Sequence, residues 1–336
     1  MRKQFKIISI ILAALVLVLS ITACSKAPAN ENGDTSADMP VRIAGMTGPT
    51  GIGLVSLKSN SENNLSEQKY EINFYKEASE IVPLLVKGEI DIAAVPANLA
   101  AIQFNKNNGF IQAIAINNLG VLSILEKGES INSVSDLKGK IIYAPASGKG
   151  AVPEYALNYI LTQNGLDPAN DVTVEWKTEV TEIIGALKNT EGGIALLPQP
   201  AATNALNNVE GLREALNIND EWNSLETDSK LVTGVIVVRT DFAKENPAAV
   251  SLFLKEYERS AAFANENIAE AAKLVAEYEI AAEAIALKAI PKCNITFIKG
   301  TEMKNVLSAY LETLHSANPA SVGGSLPADS FYYDAE

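Results

Sequence analysis

The chain has 336 residues, with 40 Asp and Glu against 27 Lys and Arg, one His and two Cys, for a formal net charge of −13. That length exceeds the roughly 250–300 residues at which single cores stop growing, so two lobes are expected. The acidity argues against a nucleic-acid partner, and a lone histidine, His315, excludes a His₂ or His₃ zinc site and argues against a Ser-His-Asp triad.

In chain order, Arg2, Lys3 and Lys6 come first, then an apolar run from Ile7 to Leu19 broken only by Ser9, then "SITAC" ending at Cys24. A basic start, an apolar core of about 7–15 residues and small residues before a cut describe a secretory signal. The run is short for a membrane span, which needs about 20 residues. The cysteine after Ile21-Thr22-Ala23 resembles the lipobox of bacterial lipoproteins, in which that cysteine is acylated and becomes the new N-terminus. This resemblance implies a lipoprotein signal peptide over 1–23, acylation of Cys24 (palmitate or a similar chain), and anchoring on the extracytoplasmic face of the cell membrane, as in a Gram-positive bacterium. With Cys24 lipidated, Cys293 has no disulfide partner and reads as a small buried hydrophobe. Residues 24–39 are polar, small and aperiodic, the composition of a flexible tether.

Beyond the tether, short β-prone segments alternate with helical patterns. The strands expected are Val41–Ala44, Glu71–Tyr75, Asp91–Val95, Lys140–Ala144, Val172–Trp176, Gly193–Leu197 and Val232–Val238. Several are apolar throughout, as strands covered on both faces should be. Pro153 suits the first turn of a helix running to Gln163, with Gly165 at its C-terminal cap. From Asn246-Pro247 onward the chain turns helical. One helix carries Val250, Phe253, Leu254 and Tyr257 at helical spacing; others are expected near Ile268–Tyr278 and Ala281–Ile290. The last starts after Gly300, and its stripe of Met303, Val306, Leu307, Tyr310, Leu311 and Leu314 reads as a packing face. Strands alternating with helices predict an α/β fold with mostly parallel sheets.

Three stretches, "LLVKGEIDIAAVPANLAA", "SVSDLKGKIIYAPASGKGAVPEYALNYIL" and "VTGVIVVRTDFAKENPAAVSLFLKEY", resemble the substrate-binding proteins of ABC importers with the type II periplasmic-binding-protein-like fold. The nearest group is the nitrate, sulfonate, taurine and thiamine-precursor branch. The resemblance implies two α/β lobes joined by two hinge crossings, with a helical C-terminal segment and a solute in the cleft. It places the first lobe at 40–134 plus 232–336 and the second at 135–231. It also implies a monomer that hands a small molecule to a permease and ATPase, with no cofactor and no metal.

Ligands of open α/β sheets sit beyond the carboxyl ends of strands. In the first lobe that rule selects Thr47, Gly48, Pro49 and Thr50 after the first strand, Asn98 in "PANLAA", and Asn117 and Asn118 in "INN". In the second it selects Ser147, Gly148, Lys149 and Gly150 in "ASGKG", then Thr178 and Glu179, and Gln199 in "PQP". The "ASGKG" loop precedes a helix, so free amides and the positive helix end are expected to favour an anion or a carbonyl dipole. It is not a nucleotide loop. A Walker loop needs four residues between its first glycine and Gly-Lys-Ser/Thr, and Pro153 stands where a dinucleotide loop has its third glycine. Flat heterocycles are gripped by stacked rings, and only Tyr143 and Trp176 lie near these loops. A small polar anion or zwitterion is therefore expected over a pyrimidine thiamine precursor. The other readings are a sensor lipoprotein and, on the same scaffold, a lyase. Glu89 and Asp91 would alternate across a strand and form no catalytic carboxylate pair, so no catalytic residue is expected.

Overall fold

A computed structural model describes residues 39–334 apart from Glu226 and Asp228. The expected signal peptide, Cys24 and the expected tether up to residue 38 lie outside the described residues. No helix among those described is long and apolar enough to cross a membrane.

Among the described residues, eleven strands run in chain order: β1 (Val41–Met46), β2 (Tyr70–Tyr75), β3 (Ile92–Pro96), β4 (Ile111–Leu119), β5 (Leu122–Lys127), β6 (Ile141–Pro145), β7 (Thr173–Lys177), β8 (Ile194–Pro198), β9 (Leu212–Asn217), β10 (Val232–Arg239) and β11 (Ile295–Ile298). They form two sheets, ordered β11-β4-β10-β3-β1-β2 and β7-β6-β8-β5-β9. Both are mixed, where the sequence suggested mostly parallel sheets. Pairing is parallel within β3-β1-β2 and β7-β6-β8, and antiparallel wherever β10, β4, β11, β5 or β9 takes part. The expected α/β class is therefore present, with β10 and β11 reversed in the first sheet and β5 reversed in the second.

All seven expected strands form, within a residue or two of their expected ends. Four others form as well. β4 and β5 are separated only by Gly120 and Val121, so "IQAIAINNLGVLSILEK" gives no turn cluster to split it. β9, "LREALN", has helix-forming composition and becomes a strand because β5 offers its free edge. β5 pairs into the second sheet, so the chain passes between sheets at Gly120-Val121, earlier than residue 134. It returns at Leu231 into β10.

The expected helices are present at Val152–Gln163, Pro247–Glu266, Ile268–Glu277, Glu283–Ala289 and Gly300–Ala317. The last buries Met303, Leu307, Tyr310, Leu311 and Leu314 of its expected stripe, while Val306 is half-buried. Its Tyr310 ring lies 5.8 Å from that of fully buried Trp222, which in turn lies 4.4 Å from Tyr159. The Trp222 indole N–H donates to Ser229 O at 3.0 Å. This aromatic stack ties the C-terminal helix to helices beside the second sheet.

Ion pairs fix the strand ends away from the loops of interest. Asp91 accepts from Arg42 through both carboxylate oxygens, at 2.9 and 2.6 Å, and from Arg239 at 3.3 Å. It thus joins β1, the start of β3 and the end of β10. Glu126 of β5, fully buried, pairs with Arg213 of β9 at 2.6 Å.

Candidate functional site

Strand pairing determines which loops share an end of a sheet. β1 and β3 are parallel, and β10 and β4 extend the sheet so that Pro96, Gly234 and Asn118 form a row across three neighbouring strands. The carboxyl ends of β1, β3 and β4 and the amino end of β10 therefore lie together. That end carries Thr47–Thr50, Asn98, Asn117, Asn118 and Thr233. In the second sheet β6, β7 and β8 are parallel, which groups Ala146–Gly150, Thr178-Glu179 and Gln199. Both crossings connect these two ends: β4 leaves one at Gly120 and β5 enters beside the other, where Leu122 pairs with Pro198. The crossings pack tightly. A Cβ on Gly120 would stand 2.7 Å from Asn219 Cβ and 2.9 Å from Leu231 Cδ2, so only glycine fits where the two crossings touch.

On the first sheet the polar side chains are buried. Asn117 and Asn118 are 0% exposed and Asn98 is 2% exposed. Successive residues of a regular strand face opposite ways. Here the β4–β10 register slips, with Gly234 opposite Asn118 and Val235 opposite Ile116. Such bulges re-aim side chains. A Cβ on Gly234 would meet Asn117 Oδ1 at 2.5 Å, Thr50 Cγ2 at 2.5 Å and Asn118 Oδ1 at 3.4 Å. The missing side chain of Gly234 is what lets these three converge. Each amide is oriented by its donor group. Asn117 Nδ2 donates to Thr50 O at 3.0 Å, Asn118 Nδ2 to Cys293 O at 3.0 Å, and Asn98 Nδ2 to Ser321 O at 3.4 Å. The Oδ1 atoms of all three are buried without a protein hydrogen bond. The Tyr257 hydroxyl adjoins Asn117, and burial raises its pKa well above the usual phenol value.

Thr47 is half-buried, with its amide donating to Tyr75 O at 2.8 Å; Gly48 is buried and Pro49 half-buried, opening a short helix over Pro49–Ile52. From the second sheet Gln199 is 2% exposed. Its Oε1 accepts from Thr203 N and Thr203 Oγ1, at 3.3 and 2.7 Å, which leaves Nε2 buried and unpaired. Its main-chain N–H donates to Val121 O at 2.9 Å, so Gln199 sits at the crossing itself.

The "ASGKG" loop differs from its expected form. Three of its amides are engaged internally: Lys149 N with Ala146 O at 3.1 Å, Ala151 N with Gly148 O at 3.3 Å, and Gly150 N with the Glu154 carboxylate at 2.6 Å. The first turn of the helix thus supplies its own anion. Ser147, Lys149 and Gly150 are exposed; Gly148 is buried, its would-be Cβ 3.3 Å from Trp176 Cζ3. The Tyr143 ring lies under Lys177 Nζ at 5.3 Å. Both nearby aromatic rings therefore have neighbours beside the second sheet. Thr178 and Glu179 are exposed, Glu179 at the start of the helix Val180–Asn189. Cys293, whose carbonyl accepts from Asn118 on the first sheet, is fully buried, and burial pushes its thiol up to about 12, so it stays protonated.

Sequence reasoning missed Thr233, Gly234 and Tyr257. A glycine inside the apolar strand "VTGVIVV" was the available signal, since it marks a bulge or a close approach.

The family model for NMT1/THI5-like proteins matches residues 69–271, more than half of the chain. The chain belongs to the NMT1/THI5-like family. The matched region spans strands of both sheets, including β3 to β10. No curated protein matches the sequence. Among solved structures, an ABC transporter protein from Parabacteroides distasonis is 21% identical, with a TM-score of 0.72 over 89% of this chain and 100% of that one. The periplasmic aliphatic sulphonate binding protein SsuA from Escherichia coli is 14% identical, with a TM-score of 0.71 over 88% and 92%. A Candida albicans protein with the generic periplasmic binding protein fold is 10% identical, with a TM-score of 0.55 over 87% and 93%. At these identities the likeness shows the fold. This NMT1/THI5-like chain has the periplasmic-binding-protein fold that its three sequence stretches resembled.

Proposed function

We propose that the protein captures a small polar solute between two lobes and delivers it to the permease and ATPase of an ABC importer. The first lobe holds β1–β4, β10 and β11, the second β5–β9, and the cleft lies where their loop-bearing ends adjoin. One observation carries this reading. Asn98, Asn117, Asn118 and Gln199, drawn from both sheets, are buried at that junction with hydrogen-bonding atoms unpaired. Buried polar atoms without partners cost about 1–3 kcal/mol each, and a solute touching both lobes would satisfy them and favour closure. Capture without turnover accords with a site whose buried polar groups are amides and hydroxyls.

The wider family supports the same role, since the structural neighbours named above include an ABC transporter protein and a sulphonate binding protein. Of the residues selected from sequence, Thr50, Asn98, Asn117, Asn118 and Gln199 form the floor of the proposed site. Thr47, Gly48 and Pro49 form its first-lobe edge; Ser147, Gly148, Lys149, Gly150, Thr178 and Glu179 form the facing rim. Acylation at Cys24 would hold the protein on the outer face of the membrane, as the "SITAC" sequence suggests.

Mass spectrometry of protein purified without denaturation tests the reading. A stoichiometric small polar molecule, released on unfolding and rebinding on refolding, is the expected result. Turnover of that molecule by the purified protein would overturn the binding role. Metabolic labelling with palmitate, compared with Cys24→Ala, tests the anchor: label on the parent and none on the variant is expected.

A further inference from the structure

The capture reading leaves the solute's chemistry open, and the unpaired atoms narrow it. A main-chain carbonyl only accepts hydrogen bonds, so Asn98 and Asn118, each tied to one, must turn their NH₂ groups toward Ser321 O and Cys293 O. Both Oδ1 atoms then remain as acceptors, buried and unpaired. Asn117 is oriented the same way, but it has the Tyr257 hydroxyl as a neighbour within the protein. Gln199 is fixed in the opposite sense. Its carbonyl takes both the amide and the hydroxyl of Thr203, which leaves Nε2 as a donor. Thr233 Oγ1, also unpaired, can donate or accept and does not discriminate. The floor therefore offers two fixed acceptors and one fixed donor.

The facing rim points the same way. The amide of Gly150 is already held by Glu154, and Glu179 adds a second carboxylate, against the single charge of Lys149. With Glu154 on the Gly150 amide and Glu179 on the same rim, the rim disfavours an acceptor-only anion.

We infer that the site takes a solute bearing N–H groups, which donate to Asn98 Oδ1 and Asn118 Oδ1 while an acceptor on the same solute meets Gln199 Nε2. This rests on the capture reading and narrows it. A nitrate or a simple sulfonate would leave both buried asparagine carbonyls unpaired and would set its own oxygens against them. Sites built to bond an N–H or O–H reject analogues that lack it by large factors, because their buried groups are left without partners.

Titration calorimetry on the parent protein, stripped of bound solute by unfolding and refolding, tests this with matched pairs: taurine against ethanesulfonate, and 4-aminopyrimidine against pyrimidine. The inference predicts that at least one amino-bearing member binds, about a hundredfold or more tighter than its partner, and that nitrate does not bind. Asn118→Ala should weaken the bound amino member at least tenfold, and Gln199→Glu, which keeps the shape and turns the donor into an acceptor, should weaken it as well. Equal or tighter binding of ethanesulfonate, pyrimidine or nitrate overturns the inference, as does failure of both amino members. In either case a molecule found by mass spectrometry would leave the capture reading standing. If Asn118→Ala unfolds, the comparison on the parent protein still decides.

Discussion

The two loop-bearing ends of this molecule are built on opposite principles. On the first sheet, asparagines are buried, a bulge re-aims Asn117 and Asn118, and the carbonyl oxygens of Asn98 and Asn118 have nothing in the protein to accept from. On the second, the "ASGKG" loop is exposed, and the amides of Lys149, Gly150 and Ala151 all have partners within the loop or its helix. Glycine and serine made the second loop look like a grip, yet its hydrogen bonds close on themselves. A binding surface is better recognised by groups held rigidly with bonds unmade than by groups free to make them. The first end should therefore dominate affinity, and the second should act as a rim.

Substitutions can break or sharpen this contrast. Gly234→Leu should abolish solute binding, because even its Cβ falls 2.5 Å from Asn117 Oδ1 and the remaining atoms must occupy the floor. Calorimetry would show no heat while circular dichroism keeps the fold; retained affinity would remove the floor from the site.

Glu126→Gln comes next and acts on the second sheet's framework. Burial pushes the Glu126 carboxyl up, but hydrogen bonds from Ser130, the Ile131 amide and Arg213 outweigh it and hold the group below the usual carboxylate range. Its contribution is therefore complete above about pH 4.3, the ordinary glutamate value, and is lost as pH falls through the lowered folded value. The variant should lose about 1.5–3 kcal/mol at neutral pH and show a flatter acid limb in denaturant titrations. Gly120→Ala should cost about 1–3 kcal/mol, because its methyl would crowd Asn219 and Leu231 where the crossings touch; chemical denaturation measures it. Lys149→Ala, on the exposed rim, should change affinity less than about threefold. A larger loss would show that the rim closes onto the solute.

The legibility of the chain follows the same contrast. Apolar strands such as "IAAVP" and "VIVV" and helices with clear stripes declare themselves, because burial alone determines them. β9 did not, since its composition favours a helix and its strand form depends on the edge of β5. The floor asparagines were visible as polar residues at strand ends. Their orientation was not, because it depends on the carbonyls of Cys293 and Ser321, at least 175 residues away. The self-closure of "ASGKG" by Glu154 is local, four residues on, and acidic residues in first turns are common enough to have suggested it.

The most direct test is a crystal structure of the protein holding the solute that it retains through purification. The account predicts density at the crossings, within hydrogen-bonding distance of Asn118 Oδ1 and Gln199 Nε2. Density confined elsewhere, such as the groove of about 830 Å³ between the helices Val152–Gln163 and Gly300–Ala317, with Asn118 and Gln199 untouched, would contradict it.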